Sequence, residues 1–382
     1  MNQQATTSML PEVIVGQHRK KNYWESLFDE HFNSTNFENL TIKAVPSKMR
    51  NGSHFKHYII DISFSGVKER VKIEGAFFDE CDIQGNNGGM KITFKNCKFE
   101  KVYFGYSKVN DVNFENCTFI NCSFSLTHFY RCSFDARCVF KNISISGGRT
   151  TFRDCIIIPS TLLNNTFKYA TEGYCSKYSL DYQEQSYRMN LSIAKLARTL
   201  LTSVATAGDD DHYYDAVKSL FTSRITERKS KRIFMARQYE LQVNSKNKNL
   251  KNLFLRIKSA YYSYTSPLYQ LESFFMRLFG FINGWGGSFI RCIVFGFLIL
   301  ATYSIVYFFK STVEPAEGLM HEALKAIAKS IDITFVAGYT KHSTVGDDLT
   351  LQLIHISNML LGLSWYAVSI PTIVNKTCLA RV

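Results

Sequence analysis

Signatures of several common protein classes are missing from this 382-residue chain. It has no C-x-x-C pair typical of metal or redox sites, no Gly-rich phosphate loop and no convincing catalytic triad. We therefore expect no enzyme activity, no metal site and no cofactor. The first ten residues, MNQQATTSML, contain neither a basic nor an apolar stretch, which predicts no cleaved signal peptide. Disulfides are not expected among the ten cysteines of an intracellular chain.

Positive charge is abundant but unevenly placed. The formal net charge is +13, and a basic run extends from Lys218 to Lys258. Neither a nucleic-acid motif nor interleaved aromatic residues accompany this run, so nucleic acid is not the expected partner. Membrane lipid is the expected partner, because anionic headgroups attract basic segments close to a membrane span.

Two segments are apolar and long enough to cross a bilayer, Cys292 to Phe309 and Leu349 to Val374. Basic residues flank the pair on both sides, whereas the segment between them has more acids than bases. The positive-inside rule then predicts a multi-pass protein of the cell membrane with both termini in the cytoplasm.

A period of five residues runs through the middle of the chain. From Phe94 to Val139 every fifth residue is bulky and apolar, and the residue two places earlier is small or apolar except at Arg137. The pattern recurs out of phase at Ile73, Phe78 and Ile83, and again at Phe152, Ile157, Leu162 and Phe167. Neither a helix nor a flat strand has this period, whereas a solenoid of stacked coils does. The inward cysteines are then small hydrophobic residues rather than redox sensors.

This pattern resembles that of the pentapeptide-repeat family, whose chains form a right-handed quadrilateral β-helix. The resemblance implies a β-helix over residues 61–170, capped by residues 1–60, with roughly four to five coils. From Lys177 the apolar spacing becomes helical and breaks at Gly208. We predict a cytoplasmic helical hairpin and linker over 171–285, with the acids of DDDH capping a helix rather than binding a metal.

The segment between the two spans has a distinct layout. Pro315 precedes a short predicted helix from Leu319 to Ile331, too short to cross a bilayer, and the residues TFVAGYT follow. Non-helical backbone at membrane depth is tolerated where protein buries it or where it lines a water-filled path. We therefore expect a re-entrant pore loop at about 319–341, between spans at about 289–310 and 349–374.

Residues 286–382 resemble the two-transmembrane pore domain of the potassium-channel superfamily, and the domain order resembles bacterial ion channels that carry pentapeptide repeats in front. The resemblance implies a selectivity filter at Val336, Ala337, Gly338, Tyr339 and Thr340. Only Gly338 and Tyr339 match the family filter, so we expect monovalent cations, K⁺ or Na⁺, to pass with relaxed selectivity. Asp347 and Asp348 either concentrate cations at the outer mouth or form a solvated turn.

Polar residues and one glycine follow one side of the second span at steps of three and four. This stripe consists of Gln352, His355, Asn358, Gly362, Tyr366, Ser369 and Thr372. Such a stripe lines a conduction path or packs in a helix seam. We expect the path, because His, Asn and Tyr side chains are large for a close seam.

These observations predict a multidomain membrane protein: a gated cation channel of the bacterial inner membrane. A homotetramer is expected because one loop supplies one wall of a filter. The repeat domain would bind a protein partner or transmit a signal. A role as a defence effector that collapses ion gradients rests on analogy alone. Two alternatives are a membrane-anchored repeat scaffold without conduction and a DNA-mimicking repeat protein. The latter would need an acidic rod, whereas residues 71–167 are slightly more basic than acidic.

Overall fold

A computed structural model describes residues 37–49, 52–65, 69–88, 90–105, 107–145, 149–177, 179–244, 250–264, 266–311, 318–336 and 349–379. These residues belong to two compact units, Met1–Tyr269 and Gln270–Val382.

The first unit contains the strands of the described part of the chain and most of its shorter helices. The strands are β1 (Glu38–Thr41), β2 (His54–Lys56), β3 (Tyr58–Asp61), β4 (Phe64–Ser65), β5 (Arg70–Glu74), β6 (Phe77–Asp79), β7 (Asp82–Gln84), β8 (Asn87–Gly88), β9 (Lys91–Lys95), β10 (Lys98–Glu100), β11 (Lys108–Asn110), β12 (Val112–Glu115), β13 (Thr118–Ile120), β14 (His128–Tyr130), β15 (Ser133–Phe134), β16 (Val139–Lys141) and β17 (Thr151–Arg153). The α-helices of the described residues are α1 (Val45–Lys48), α2 (Pro159–Asn164), α3 (Glu172–Lys177), α4 (Tyr182–Ala207), α5 (Asp210–Asn244), α6 (Leu250–Tyr264), α7 (Ser266–Asn283), α8 (Phe289–Ser311), α9 (Leu319–Thr334) and α10 (Leu349–Leu379).

The strands stack in parallel columns, one strand from each coil of a solenoid. In the longest column, β2, β6, β10, β13 and β16 pair in sequence order. Phe99 pairs with Phe78 on one side and with Phe119 on the other. Their ring centroids are 5.1 Å and 4.8 Å apart, so the core is a continuous stack of aromatic rings. The predicted five-residue repeat and its buried centres are confirmed, with Phe114, Phe119, Phe124 and Phe129 all at most 1% exposed.

The predicted phase is wrong at the end of the repeat. Val139 is 42% exposed, whereas Phe140 is buried at 3% and stacks on Phe119. The chain has gained one residue after Phe134, so that Cys138 takes the inward position that the five-residue step assigned to Arg137. The interruption at Arg137 marked this insertion.

A residue in the left-handed conformation turns the chain at the corners, and asparagine is one of several residue types that take this position. Two residues after a buried Phe, the backbone adopts a left-handed conformation at Asn96, Asn116, Asn121 and Asn142, with φ between 50° and 53°. Asn tolerates this conformation better than most residues. Its side chain also links the coils, because Asn116 Nδ2 donates to Asn96 Oδ1 at 2.7 Å.

Both ends of the solenoid differ from the sequence expectation. Strands β1, β2 and most of β3 lie before residue 61, where we expected the repeat domain to begin. At the other end Leu162 is buried, but it lies in α2 instead of a coil. Beyond it, Leu196 and Leu200 of α4 join the solenoid core. Ser203 Oγ accepts from the Cys155 amide at 2.8 Å, so α4 closes this end of the stack.

The predicted helical hairpin is present as α4 and α5. Helix α4 ends at Gly208 with φ 66°, and Tyr187 near its start stacks on Phe234 late in α5. The Asp209 carboxylate accepts from the backbone amide of His212 at 3.2 Å. The acids therefore cap a helix, as predicted.

Candidate pore-forming unit

The second unit contains two helices that are long and apolar enough to cross a membrane, Phe289–Lys310 in α8 and Leu349–Val374 in α10. Only 17% and 28% of their most apolar windows are buried. The core helix of a water-soluble protein would be mostly buried, whereas most of these two apolar windows is exposed in the single chain.

Helix α9 packs against both of these long helices. Its Ser330 hydroxyl donates to the Leu300 carbonyl of α8 at 3.0 Å. Its Thr334 hydroxyl donates to Asn358 Oδ1 of α10 at 2.8 Å. Asn358 Nδ2 in turn donates to the Tyr307 hydroxyl of α8 at 3.3 Å. This buried network joins the three helices at one point, and a buried amide is stable only with such partners.

Two glycines allow the helices to approach closely. A Cβ on Gly362 would lie 2.2 Å from the Thr334 carbonyl oxygen, so α10 contacts the last turn of α9 there. A Cβ on Gly296 would lie 2.6 Å from the Trp365 ring, whose Nε1 donates to the Cys292 carbonyl at 2.7 Å. Gly362 therefore has a packing reason that does not depend on pore lining.

The structure brings the polar stripe of α10 toward the other helices of the same chain. His355 and Asn358 are fully buried, Thr372 is 1% and Ser369 5% exposed, and Gln352 and Tyr366 are half-buried. Tyr366 contacts Phe335, with ring centroids 5.5 Å apart. Lining of a conduction path by this stripe stays a prediction. In this single chain, exposure of its buried members to such a path would require a different packing of α10.

Most of the predicted filter lies outside the described residues. Val336 is described: it has φ 58° and lies two residues after the end of α9, with its amide donating to the Ile333 carbonyl at 3.0 Å. Ala337, Gly338, Tyr339 and Thr340, as well as Asp347 and Asp348 of the predicted outer mouth, lie outside the described part of the chain. A residue in the left-handed conformation commonly ends a helix. A β-branched residue such as Val336 rarely adopts this conformation.

Charged side chains gather on one side of α9. A cavity of about 260 Å³ beside the C-terminal end of α8 is lined by Lys310, Glu322, Lys325 and Lys329 together with Tyr307. Charged groups are unfavourable in hydrocarbon. This side of α9 therefore needs water or lipid headgroups around it.

Sequence reasoning missed three members of the α8–α9–α10 network: Tyr307, Ser330 and Thr334. Tyr307 lies in an aromatic-rich apolar run and the other two lie at the end of a short helix, so no periodic pattern singled them out. The large polar residues of α10 were the only signal that partners were required.

Three of the described cysteines in the repeat interior have thiols that are not acidified. Cys81, Cys122 and Cys138 are free and buried, and burial raises the pKa of each thiol to about 12. Cys122 Sγ lies 3.4 Å from the Phe99 carbonyl oxygen of the preceding coil. These thiols pack as small hydrophobic groups and are not poised for redox chemistry.

The first unit also has an open cleft. It measures about 260 Å³ and lies between α2, α4 and α5, with Asn164, Lys168, Asn190 and Ser223 in its lining. Part of the basic run nearby is neutralised inside the protein, because Arg224 pairs with Glu227 at 3.0 Å.

A match to a family model supports the assignment of the solenoid. Residues 94–142 match a family described as pentapeptide repeats (nine copies). The chain contains a pentapeptide-repeat domain. Among solved structures it is similar to a trypsin-treated variant of QnrB1, described as a plasmid-mediated fluoroquinolone resistance protein. The identity is 11%, over 31% of this chain and 71% of that chain, with a TM-score of 0.13. No curated protein sequence matches the chain.

Proposed function

We propose that the chain is a gated cation channel of a bacterial inner membrane, with a pore built by the Gln270–Val382 unit. The observation that carries the proposal is α9, held by buried hydrogen bonds between two helices that can span a membrane. Its 16 residues extend about 24 Å at 1.5 Å per residue. That is shorter than the ~30 Å hydrocarbon core, so we propose that α9 enters the membrane and returns.

The end of α9 favours a cation. Carbonyl groups at a helix C-terminus carry a partial negative charge. The sequence that follows, Val336 to Thr340, resembles a potassium-channel filter, whose carbonyl oxygens replace the water around an ion. Asp347 and Asp348 would add negative charge at the outer mouth. Together these groups support K⁺ or Na⁺ as the permeant ion.

We propose a homotetramer for the pore. One re-entrant segment supplies one wall, and closed symmetric assembly completes the rest. Helix α9 exposes large apolar side chains that neighbouring copies would cover. They are Leu319, Met320, Leu324, Ile327 and Ile331, each at least 41% exposed. The repeat domain would stay in the cytoplasm and receive the opening signal or a protein partner on the broad face of its solenoid.

A membrane-anchored repeat scaffold is the second candidate function. It is favoured by the burial of His355 and Asn358 within one chain, because a stripe sealed between helices needs no conduction. The scaffold gives no reason for a short helix followed by a filter-like sequence, which is why we prefer the channel.

The test is ion flux through purified full-length chain in liposomes, recorded under voltage clamp. Gly338→Val should abolish the cation current, because a Cβ would crowd the carbonyl site, while membrane insertion stays normal. Gly173→Val is the matched control, since Gly173 lies in the first unit with no atom near an added Cβ. Equal currents in the two variants would overturn the pore assignment. A wild-type chain that inserts but carries no current at any voltage would favour the scaffold.

A further inference from the structure

Helix α7 leads into the first candidate span and has an uncovered apolar side. Leu271, Phe274, Phe275 and Phe281 are 52%, 59%, 43% and 64% exposed. At 100° per residue they fall within about a third of the helix circumference. A helix in water does not keep four large apolar side chains on one side without a partner.

The other side of the same helix is polar. Glu272 and Arg277 are exposed there, and Ser273 lies between them in sequence. These two charges make a crossing of the bilayer by α7 unfavourable, although its 18 residues come close to the required length. An apolar side and a charged side on one helix fit a position along the membrane surface.

A tight corner connects α7 to α8. Gly284, Trp285 and Gly286 all have positive φ, of 58°, 60° and 94°. The Trp285 ring covers Gly280 so closely that an added Cβ would lie 2.5 Å from it. Across the corner, Phe281 of α7 contacts Phe295 of α8, with ring centroids 5.9 Å apart. The apolar side of α7 is therefore continuous with the apolar surface of the span.

We infer that α7 lies in the headgroup–acyl boundary of the leaflet where α8 begins, with Phe274 and Phe275 toward the acyl chains. The partner is an anionic lipid surface, since Arg277 and Arg291 outnumber Glu272 among the charged groups of this corner. Trp285, at the same level, has the ring type that membrane interfaces favour. This inference rests on the proposed insertion of α8, and it adds a lipid contact that the pore itself does not require.

A change in the position of α7 can affect the second candidate span. Helix α10 contacts the Gly284–Gly286 turn, so a displacement of α7 in the interface would be felt at α10.

Depth measurements on the full-length chain in liposomes test this inference. An environment-sensitive fluorophore is attached to Phe274→Cys, to Ser273→Cys on the polar side, and to Leu298→Cys in α8, which is 54% exposed. The unsubstituted chain, nine of whose cysteines are buried, gives the background labelling. We expect Phe274→Cys to be quenched by lipids spin-labelled near the headgroup, Ser273→Cys by aqueous iodide, and Leu298→Cys by lipids spin-labelled deep in the chain.

The three labels separate the outcomes. Deep quenching at Leu298 with iodide quenching at Phe274 would overturn the inference and leave the channel proposal standing. Shielding of Phe274 from both quenchers would mean that a second copy covers α7, which also overturns it. Iodide quenching at Leu298 would mean that α8 does not insert, and both proposals would fail.

Charge selectivity provides a second test. Brominated phosphatidylglycerol and brominated phosphatidylcholine are compared as quenchers of the chain's tryptophans. We expect Arg277→Gln to reduce the preference for the anionic lipid by about five-fold, since one arginine near the surface has an effect of that order. Glu272→Gln is the matched control and should not reduce it. Equal preferences in the two variants would overturn the anionic partner.

Discussion

The solenoid and the second unit bury polar side chains in opposite ways. In the solenoid, buried hydroxyls at equivalent inward positions bond to the backbone of the coil before them. Ser107 donates to the Ile83 carbonyl at 2.7 Å, and Thr127 donates to the Phe104 carbonyl at 2.8 Å. In the second unit, Asn358 alone joins Thr334 and Tyr307. A repeat spreads its polar contacts over equivalent positions, whereas each polar contact between helices of the second unit has its own chemistry and occurs once.

This difference leads us to expect that changes in the solenoid are felt mainly by adjacent coils, because each repeat contacts its neighbours alone. Changes in the second unit should be felt by three helices together. Hydrogen exchange followed by mass spectrometry on the full-length chain can separate the two responses, because it reports the opening of each segment.

The largest expected effect is in the aromatic stack. Phe119→Ala should lower the free energy of unfolding of the repeat domain by about 3–5 kcal/mol, because the ring is fully buried between Phe99 and Phe140. Chemical denaturation monitored by hydrogen exchange measures the change. The loss should extend to neighbouring coils and leave the second unit unchanged.

The phase of the last coil can be tested in the same way. Phe140→Ala should destabilise the domain nearly as much as Phe119→Ala. The adjacent substitution Val139→Ala should change little, since Val139 is exposed. A larger loss of stability in Val139→Ala than in Phe140→Ala would support the strict five-residue step and contradict the structure.

The next effect concerns the contact between α9 and α10. Gly362→Ala should destabilise the second unit by about 3 kcal/mol, because the new Cβ would meet the Thr334 carbonyl oxygen at 2.2 Å and the backbone must move. Exchange should accelerate in α8, α9 and α10 together. Gly173→Ala is the control, with open space around it. An unchanged second unit in Gly362→Ala would argue against this helix packing.

A smaller effect is expected at the polar network. Asn358→Leu should destabilise the second unit by about 2 kcal/mol, because it leaves Thr334 and Tyr307 without their buried partner. Ser364→Ala is the matched control on the same helix, since Ser364 is exposed and bonds to its own helix backbone. Thermal unfolding in detergent measures both. A loss of ion flux in Asn358→Leu without loss of stability would instead support a position on the conduction path.

The solenoid could be predicted from sequence because its contacts repeat. A partner about 20 residues away has the same chemistry at every coil, as the pairing of Phe99 with Phe119 illustrates, so one period describes the whole core. The inserted residue before Cys138 could not be predicted in this way, because a fixed step has no means of shifting. The closure of the stack by α4 depends on a contact such as Ser203 with Cys155, which occurs once and leaves no pattern.

The candidate pore unit was only half predictable for the same reason. The polar residues of α10 marked one side of a helix, but a periodic pattern does not say which neighbour that side contacts. The partner of Asn358 is Thr334, in the last turn of a different helix. Candidate spans follow from composition, because hydropathy is a property of each segment alone, whereas the packing of these helices depends on single contacts between segments.

The smallest expected effect sharpens the comparison at the level of one thiol. Burial raises the pKa of Cys122 to about 12, above the value of about 8.5 for an unfolded thiol. The unfolded chain therefore loses a proton that the folded chain keeps. The stability that this thiol contributes is fully present below pH 8.5 and is lost as the pH rises toward 12.

Between pH 8 and about pH 9.5, the free energy of unfolding of the repeat domain should therefore fall by about 1 kcal/mol more in the wild-type chain than in Cys122→Ala. Comparing the two chains cancels the titration of lysines and tyrosines. Ser107→Ala, at an equivalent inward position that does not titrate, should keep the full wild-type dependence. If Cys122→Ala and Ser107→Ala respond to pH alike, the thiol is not buried in the folded state, and the inward phase assigned to the cysteines would be wrong.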